Sequence, residues 1–420
     1  MKNCLNLRRF ITSSTNNYQK SVIYNWGLGT KGQLGHEKFD KEGTFFSGDV
    51  YIQIEPRRLI NSSRITKIAC GVGYNVGLTI DNKILVWGQN YPGNLPLETL
   101  MTPQLIPTDF EAVDVSAGNS HCAAVDKKGR VYTWGQNGGV MGGGGQLGHG
   151  TYDNTLTPKL VQGLENVEIS SVSCGELHTL FFDKKNGQVW SCGANEYGRL
   201  GGGPNWGQQD GLIPQLLVDS FEGEKVVQVS AGFNHSIALT ESGRIFAWGR
   251  NDQGQLGLGD SFIDIYSMED MPRLIESDKL KSKVIQISAG KGTSAALTQD
   301  GKMYYWGHKI MHEPLEVPYE ATEFAKKPVK IRVCGDSAKG GTVVAWITED
   351  GELHVYGPYS SNLRGKVDPN SSWFSFGSKK DTTLVEFGKS SEEGRRVVYD
   401  IFGGFGQHIA VRVSPRSEAI

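Results

Sequence analysis

The chain is built from short apolar and β-branched runs that alternate with tight polar turns. Residues 226–230 (VVQVS), 235–240 (HSIALT) and 245–248 (IFAW) are three such runs, long enough for strands and too short for helices. Residues 241–244 (ESGR) place an acidic residue and a glycine between the last two runs, which favours a β-hairpin because glycine accepts a positive φ. The pattern predicts a small antiparallel sheet.

The same hairpin signal recurs along the chain. At four further places an acidic residue precedes a glycine or an Asn-Gly pair between two apolar runs. These turns are residues 126–130 (DKKGR), 183–188 (DKKNGQ), 299–302 (QDGK) and 349–352 (EDGE). The chain therefore repeats one supersecondary unit, which is the first property to establish in a sequence of this length.

Two further signals repeat in phase with the hairpins. Trp-Gly, replaced once by Cys-Gly and once by Tyr-Gly, ends the last run of each unit, and a small residue followed by glycine precedes the middle run. The first signal lies at Trp26, Trp87, Trp134, Cys192, Trp248, Trp306 and Tyr356. The second begins at Cys70, Ser116, Ser173, Ser230, Ser288, Val333 and Phe402. Seven copies of both signals in one order indicate seven repeats.

One such sheet cannot bury both of its faces, so neighbouring units must stack. Antiparallel sheets repeated seven times favour radial closure, and the predicted fold class is all-β, a seven-bladed β-propeller. The two ends of the chain complement each other. Residues 20–26 supply a last run with no earlier runs, and residues 399–412 supply the first two runs of a unit. We predict that 22–26 pair with 399–412 and close the ring.

The repeats resemble those of the regulator of chromosome condensation (RCC1) family, which form seven-bladed propellers. The resemblance covers residues 20–413. It rests on a WGxNxxGQLG pattern and an AGxxHxxAL pattern. Close matches are 27–35 (GLGTKGQLG), 142–150 (GGGGQLGHG), 194–203 (ANEYGRLGGG) and 250–260 (RNDQGQLGLGD). Departures are 89–96 (QNYPGNLP), 308–316 (HKIMHEPLE) and 358–365 (PYSSNLRG), where we expect the regular loop to be lost.

The many glycines are predicted to serve backbone geometry. Residues 138–146 (GGVMGGGGQ) come nearest to a phosphate-binding loop, but they lack the P-loop lysine and the following helix, so no cofactor is expected. His121, His178 and His235 share one repeat position, which favours hydrogen bonds to backbone groups between strands over a metal site. The cysteines are expected to be free thiols, because none lies in a C-x-x-C pair.

No catalytic motif is present, and we expect no enzyme activity. The net charge of −2 argues against nucleic-acid binding, and no apolar run is long enough to span a membrane. Residues 1–19 contain Lys2, Arg8 and Arg9 and no acidic residue, which is typical of a mitochondrial transit peptide, although a retained N-terminal arm is the alternative. Residues 414–420 are expected to form a tail.

Loops outside the repeat pattern are the predicted interaction sites. They are residues 39–56, 204–211 with Trp206, and 360–396 with Trp373, Phe374 and Phe376. Aromatic residues in loops suit protein interfaces, but rings that fold back onto the blades are an equal alternative.

The RCC1 resemblance implies either of two functions. One is a protein scaffold, which the N-terminus would place in the mitochondrial matrix or on the matrix side of the inner membrane, as an accessory or assembly subunit of the respiratory chain or mitochondrial ribosome. The alternative is guanine-nucleotide exchange on a small GTPase. Exchange would need a wedge on one propeller face, and the loop 201–214, with Asp210 as its acid, is the compact candidate.

The composition of the N-terminus predicts import into mitochondria. Residues 1–25 fused to a fluorescent protein should direct it to mitochondria, because the positive segment is drawn towards the negative matrix. A matched fusion in which Arg8 and Arg9 are replaced by Gln should lose that signal. A diffuse or nuclear signal from the unaltered fusion would refute the assignment.

Overall fold

The structure is a computed structural model, and it describes most of the repeat region. The described residues are 22–28, 32–36, 52–59, 62–89, 99–138, 143–204, 209–259, 267–308, 311–317, 326–336, 341–357, 382–385, 396–404 and 408–415. Within them the chain forms 28 strands in seven four-stranded antiparallel sheets. Two short 3-10 helices, Ser62–Arg64 and Glu196–Gly198, complete the regular structure of these segments.

Six sheets, blades 1 to 6, each consist of four consecutive strands. Blade 1 is β3 (Ile65–Cys70), β4 (Tyr74–Thr79), β5 (Ile84–Gly88) and β6 (Leu100–Ile106). Blade 2 is β7 (Ala112–Ala117), β8 (His121–Asp126), β9 (Val131–Gly135) and β10 (Thr155–Leu160). Blade 3 is β11 (Ser171–Cys174), β12 (His178–Asp183), β13 (Gln188–Gly193) and β14 (Gly211–Leu216).

The next three blades follow the same order. Blade 4 is β15 (Val226–Ala231), β16 (His235–Thr240), β17 (Ile245–Arg250) and β18 (Met268–Leu274). Blade 5 is β19 (Val284–Ala289), β20 (Thr293–Thr298), β21 (Met303–Gly307) and β22 (Met311–Glu316). Blade 6 is β23 (Pro328–Asp336), β24 (Gly341–Thr348), β25 (Leu353–Tyr356) and β26 (Thr382–Leu384).

Blade 7 is formed by both ends of the chain, which confirms the predicted closure. Its order is β27 (Arg396–Phe402), β28 (His408–Pro415), β1 (Val22–Leu28) and β2 (Ile52–Arg58). Strands β1 and β28 are antiparallel, with Val22 opposite Val413 and Trp26 opposite Ile409. Strand β28 ends at Pro415, so it extends two residues beyond the boundary expected at 413.

The first strands of successive blades contact one another around a ring, and β27 of blade 7 contacts β3 of blade 1. Apolar side chains fill the space between blades. Ile237 and Ala247 of blade 4, for example, share a core cluster with Ile287 and Ala296 of blade 5. The predicted seven-bladed propeller is therefore confirmed, and each sheet buries its faces against its neighbours.

The sequence pattern identified three strands per unit and missed the outermost one. Outer strands such as Thr155–Leu160 are largely exposed, so they lack a strong apolar alternation. Most of them carry a proline, which an edge strand tolerates because its outward N–H groups have no partner strand. These prolines are Pro56, Pro103, Pro158, Pro214, Pro272 and Pro314.

Parts of the three predicted loops are strands. Residues 52–56 of the segment 39–56 belong to β2, and residues 382–384 of the segment 360–396 form β26. Gly211 begins β14, so the loop 204–211 ends at the outer strand of blade 3. These expectations were wrong for those residues, because an outer strand resembles a polar loop in sequence.

The closure predicts that removal of β1 destabilises the whole ring. Deleting residues 20–35 takes the third strand from blade 7 and exposes the edges of β28 and β2. We expect the free energy of unfolding in urea to fall by several kcal/mol, roughly the value of the lost apolar burial. Deleting residues 40–47, from the linker between β1 and β2, is the matched control and should have a small effect. Equal urea midpoints for both deletions would contradict the closure.

Candidate interaction surface

The loop after the third strand of a blade binds the next blade. Trp248 of blade 4 donates its indole N–H to the carbonyl oxygen of Arg199 in the blade 3 loop, at 3.0 Å. Trp306 donates in the same way to Gln255 at 3.0 Å. Trp87 donates to the carbonyl of Gln33 at 2.9 Å. The Trp-Gly signal and the GQLG signal are thus the two halves of one contact between blades.

The second glycine of this loop is required by the same contact. Gly201 has φ +79°, and a Cβ there would lie 2.7 Å from Nε1 of Trp248. Gly257 has φ +71°, and a Cβ there would lie 2.8 Å from Nε1 of Trp306. A side chain at either position would meet both a strained backbone and the indole ring. This explains why so many glycines follow the tryptophans.

A hydroxyl group links each of three blades to the blade before it. Thr179 of blade 3 donates to the carbonyl oxygen of Gln146 at 2.7 Å, and its Oγ1 lies 2.9 Å from Nε2 of His121. The same arrangement occurs at the next two boundaries. Ser236 lies between His178 (3.0 Å) and the Arg199 carbonyl (3.2 Å), and Ser294 lies between His235 (2.9 Å) and the Gln255 carbonyl (3.0 Å).

These bonds fix the proton on each imidazole ring. A carbonyl oxygen can only accept, so each hydroxyl hydrogen points at the loop and Nε2 of the histidine must donate. The ring is then neutral, and Nδ1 has no hydrogen-bond partner among the described residues in His121, His178 or His235. Burial lowers the pKa of His121 and of His235 to about 3, and lowers that of His178 well below its ordinary value. The expectation that these three histidines bond backbone groups was wrong for Nε2, which donates to a hydroxyl group of the next blade.

The other repeated polar residues also join blades. The serine before the Ala-Gly or Cys-Gly pair accepts a hydrogen bond from a backbone N–H of the next innermost strand. The pairs are Ser116 with Cys174 N (3.0 Å), Ser173 with Ala231 N (2.9 Å), Ser230 with Ala289 N (3.0 Å) and Ser288 with Val333 N (3.0 Å). The cysteines described are free and buried, and burial raises the pKa of Cys174 and of Cys334 to about 12. Such thiols are packing residues.

Blade 3 carries a charged cluster at the end of the ring where its loops meet those of blades 4 and 5. Arg199 is 1% exposed and pairs with Glu196 at 3.1 Å and with Glu176 at 3.7 Å. Its guanidinium carbon lies 5.6 Å from the ring centroid of Tyr197, and that of Arg250 lies 4.6 Å from the same centroid. Burial raises the pKa of Glu176, with Arg199 opposing that shift.

A second cation lies over an aromatic ring beside this cluster. The Lys291 ammonium is 4.8 Å from the ring centroid of Phe233. Backbone bonds connect the loops that carry these residues, from Glu176 N to the Phe233 carbonyl at 3.0 Å and from Phe233 N to the Gly290 carbonyl at 3.1 Å. The cluster therefore forms one surface across blades 3, 4 and 5.

The four aromatic residues predicted as interaction sites, Trp206, Trp373, Phe374 and Phe376, lie outside the described residues, so they remain predictions. Asp210, the acid of the proposed wedge, is described. Its carboxylate accepts hydrogen bonds from Gly144 N (2.9 Å), Asn195 N (3.3 Å) and the Tyr152 hydroxyl (3.2 Å). Asp210 therefore joins the loops of blades 2 and 3.

The described residues lack two features that would point to other functions. No group of three or more His, Cys, Asp and Glu residues there is arranged to hold a metal ion. No helix in these segments is long and apolar enough to cross a membrane.

Comparison with known sequences agrees with this architecture. Residues 22–78, 128–182, 186–239 and 242–297, more than half of the chain, match the family model described as Regulator of chromosome condensation (RCC1) repeat. The chain belongs to the RCC1 repeat family. Residues 22–78 cover the last two strands of blade 7 and the first two of blade 1, so the sequence repeat is offset from the blade.

Two of the relatives are proteins of one plant. The chain is 32% identical to the ultraviolet-B receptor UVR8 of Arabidopsis thaliana over 296 residues, which cover 68% of this chain and 61% of that protein. It is 30% identical to RUG3, a mitochondrial RCC1 domain-containing protein of the same plant, over 329 residues. That match covers 74% of this chain and 69% of RUG3.

Two solved structures share the fold. Human WBSCR16 has a TM-score of 0.75 at 22% identity, covering 94% of this chain and 100% of that one. Prp20p of Saccharomyces cerevisiae, reported with its binding properties to Gsp1p and histones, has a TM-score of 0.73 at 19% identity, covering 95% and 93%. At these identities the likeness shows the fold alone.

The buried, neutral histidines that bond the three shared hydroxyls predict that mild acid lowers the free energy of unfolding of the RCC1 propeller. His121 and His235 have a pKa of about 3 in the folded chain against an ordinary 6.5, so the unfolded chain binds more protons between these values. Stability should be fully present above about pH 7 and fall with decreasing pH, by about 1.4 kcal/mol per unit for each histidine. Urea unfolding between about pH 7.5 and about pH 5 measures this.

His235→Thr is the matched variant, because Thr293 occupies the same repeat position in blade 5. It should be less stable near neutral pH, since Ser294 loses its donor, but its stability should depend less steeply on pH. If the free energy of unfolding changed with pH at the same slope in both proteins, the conclusion that His235 is neutral in the folded chain would be contradicted.

Proposed function

We propose that this RCC1 propeller is a non-enzymatic protein scaffold, an accessory or assembly subunit of a large mitochondrial complex. The observation that carries the proposal is the use of the repeated histidines, hydroxyls and serines. From blade 2 to blade 6 these groups make hydrogen bonds that join one blade to the next. They form a rigid ring, and what differs from blade to blade is the outer surface and the loops, which is where binding residues are expected.

Two observations support a mitochondrial location. Residues 1–19 have the composition of a transit peptide. The similar protein RUG3 is named as mitochondrial. The respiratory chain and the mitochondrial ribosome are the complexes that we propose as hosts, and small GTPases remain candidate partners. Nucleic acid is not a proposed partner, given the net charge of −2.

Guanine-nucleotide exchange is the second candidate. It is favoured by the shared fold with Prp20p, which was studied for binding to Gsp1p. Against it, the Asp210 carboxylate is bound by Gly144 N and Asn195 N, so it is not a free acidic tip. Strand β14 begins at Gly211 and shortens the wedge expected at 201–214. The scaffold is therefore the function that we favour.

Replacing Trp373, Phe374 and Phe376 together by Ala tests the scaffold. If these rings are interface anchors, binding should weaken by about 2 kcal/mol or more. The variant should then leave the large complex and elute as a free subunit in size-exclusion chromatography of mitochondrial extract. Leu105→Ala and Val218→Ala remove exposed apolar residues of the described surface and are the controls, which should stay in the complex.

Melting of the purified triple variant separates binding from packing. An unchanged melting temperature is expected for interface rings, whereas a lowered one would mean that the rings pack on the blades. Accelerated nucleotide release from a mitochondrial GTPase at low protein concentration, abolished by shortening residues 204–211, would overturn the scaffold in favour of exchange.

A further inference from the structure

The repeats provide an internal control for the loop of blade 3. Residues 193–201 (GANEYGRLG) and 249–257 (GRNDQGQLG) have equal length and the same contacts with the following blade. In both, the asparagine side chain accepts a hydrogen bond from the leucine N–H, Asn195 from Leu200 and Asn251 from Leu256. Four positions differ, and two of them change the chemical character of the loop most: Tyr197 stands where blade 4 has Gln253, and Arg199 stands where it has Gln255.

Neither Tyr197 nor Arg199 is needed to hold the blades together. The contact with the next blade uses the backbone carbonyl of residue 199 or 255, so a glutamine serves as well as an arginine. Burying a guanidinium is unfavourable, and one of its nitrogens, Nη1 of Arg199, makes no hydrogen bond in the described part of the chain. The buried Arg199 therefore lowers the stability of the fold, and the contact between the blades does not require it.

Tyr197 adds a second unfavourable feature. Its φ of +63° and ψ of 17° lie in the left-handed region, which a bulky side chain rarely adopts. Gln253, at the same position in blade 4, is not in this conformation. Backbone strain in a rigid structure is concentrated at binding and catalytic positions.

The strained residue is held between charged groups. The guanidinium carbons of Arg199 and Arg250 lie 5.6 Å and 4.6 Å from the Tyr197 ring centroid, close enough for cation–π attraction. Arg250 pairs with Asp252 at 2.7 Å, its Nε is buried without a hydrogen bond, and its side chain is 29% exposed. The loop thus places the Tyr197 ring beside a partly exposed arginine.

We propose that Glu196, Tyr197, Phe233, Arg250 and Lys291, the blade 3–5 patch, form the docking surface for an acidic segment of a protein partner. The inference rests on the proposed scaffold function and specifies its surface. Tyrosine and arginine are enriched among the residues that dominate binding energy at interfaces. A carboxylate is the group that a guanidinium binds most favourably on a protein, through paired N–H donors.

Tyr197, the two exposed cations, Glu196 and the buried Arg199 beneath them act in different ways. Tyr197 packs against the partner segment, and Arg250 and Lys291 attract its carboxylates. Arg199 is a positioning residue, because it is buried and acts by holding Glu196 and the Tyr197 ring. Glu196 is the most exposed carboxylate that pairs with the cluster, at 57%, so its negative charge repels a partner carboxylate.

Binding of a fluorescein-labelled poly-L-glutamate peptide of about ten residues tests the patch on the purified full-length chain. Anisotropy should show binding that weakens with salt, and no binding of a poly-L-lysine peptide. Arg250→Gln and Tyr197→Gly should each lower the affinity by about tenfold or more, and Glu196→Gln should raise it. Gln253→Ala, the equivalent position in blade 4, is the matched control and should bind as the unaltered chain does.

Tyr197→Gly should also leave the melting temperature unchanged or raise it, because glycine accepts the left-handed conformation without strain. Equal affinity in all variants, or no binding of the acidic peptide, would overturn the proposal. Full displacement of the peptide by millimolar inorganic phosphate would also overturn it, since the patch would then be a general anion site.

The two proposals can fail separately. If the chain elutes in a large mitochondrial complex and the Arg250→Gln and Tyr197→Gly variants remain there, the patch is not the docking surface, and the scaffold function stands. If the unaltered chain elutes alone from mitochondrial extract but binds the acidic peptide in the expected order of variants, the scaffold function fails, and the patch stands.

Discussion

One hydroxyl group at each of three blade boundaries organises the neighbouring contacts. Thr179 shows the arrangement, because its oxygen accepts the His121 proton while its own proton goes to the Gln146 carbonyl. If the hydroxyl were absent, an imidazole N–H and a carbonyl would both be left unpaired in a buried site, at a cost well above the value of one bond. The repeated spacing of histidine, hydroxyl and GQLG loop in the sequence follows from this shared geometry. These bonds fix the position of each of these blades relative to its neighbour.

Much of this fold could be predicted from the sequence, since hairpin turns and the Trp-Gly and Ala-Gly signals are local. The outer strands could not be identified by apolar alternation, although the recurring proline of segments such as Pro158 and Pro214 was a usable signal. The hydrogen-bond partners of the histidines lie on the next blade, so the sequence of a single repeat does not show which residues they are. A hint was present in the polar residue that follows His178 and His235, as in Ser236, within an otherwise apolar buried strand.

The candidate site was less accessible to sequence reasoning. Loops with several aromatic residues attract attention, and Trp373 and its neighbours remain the prediction from that signal. The blade 3–5 patch was missed because the strain of Tyr197 is a backbone angle that no composition rule reports. Aligning the repeats against one another would have found it, because Arg199 breaks a run of glutamines at Gln33, Gln146 and Gln255. In a repeat protein, departures from the chain's own pattern are more informative than unusual composition.

The shared blade 7 has a mechanical consequence. Strands β1 and β28 are antiparallel neighbours in the middle of the sheet, and the start of β1 lies beside the end of β28, with Val22 opposite Val413. A force that pulls the two ends of the chain apart would therefore load the hydrogen bonds between β1 and β28 one after another, as in opening a zipper, rather than all together in shear. The pairing of β1 with β28 that closes the ring is thus its weakest contact under tension. The ring would open there first, while the hydroxyl-linked boundaries of blades 2 to 5 stayed intact.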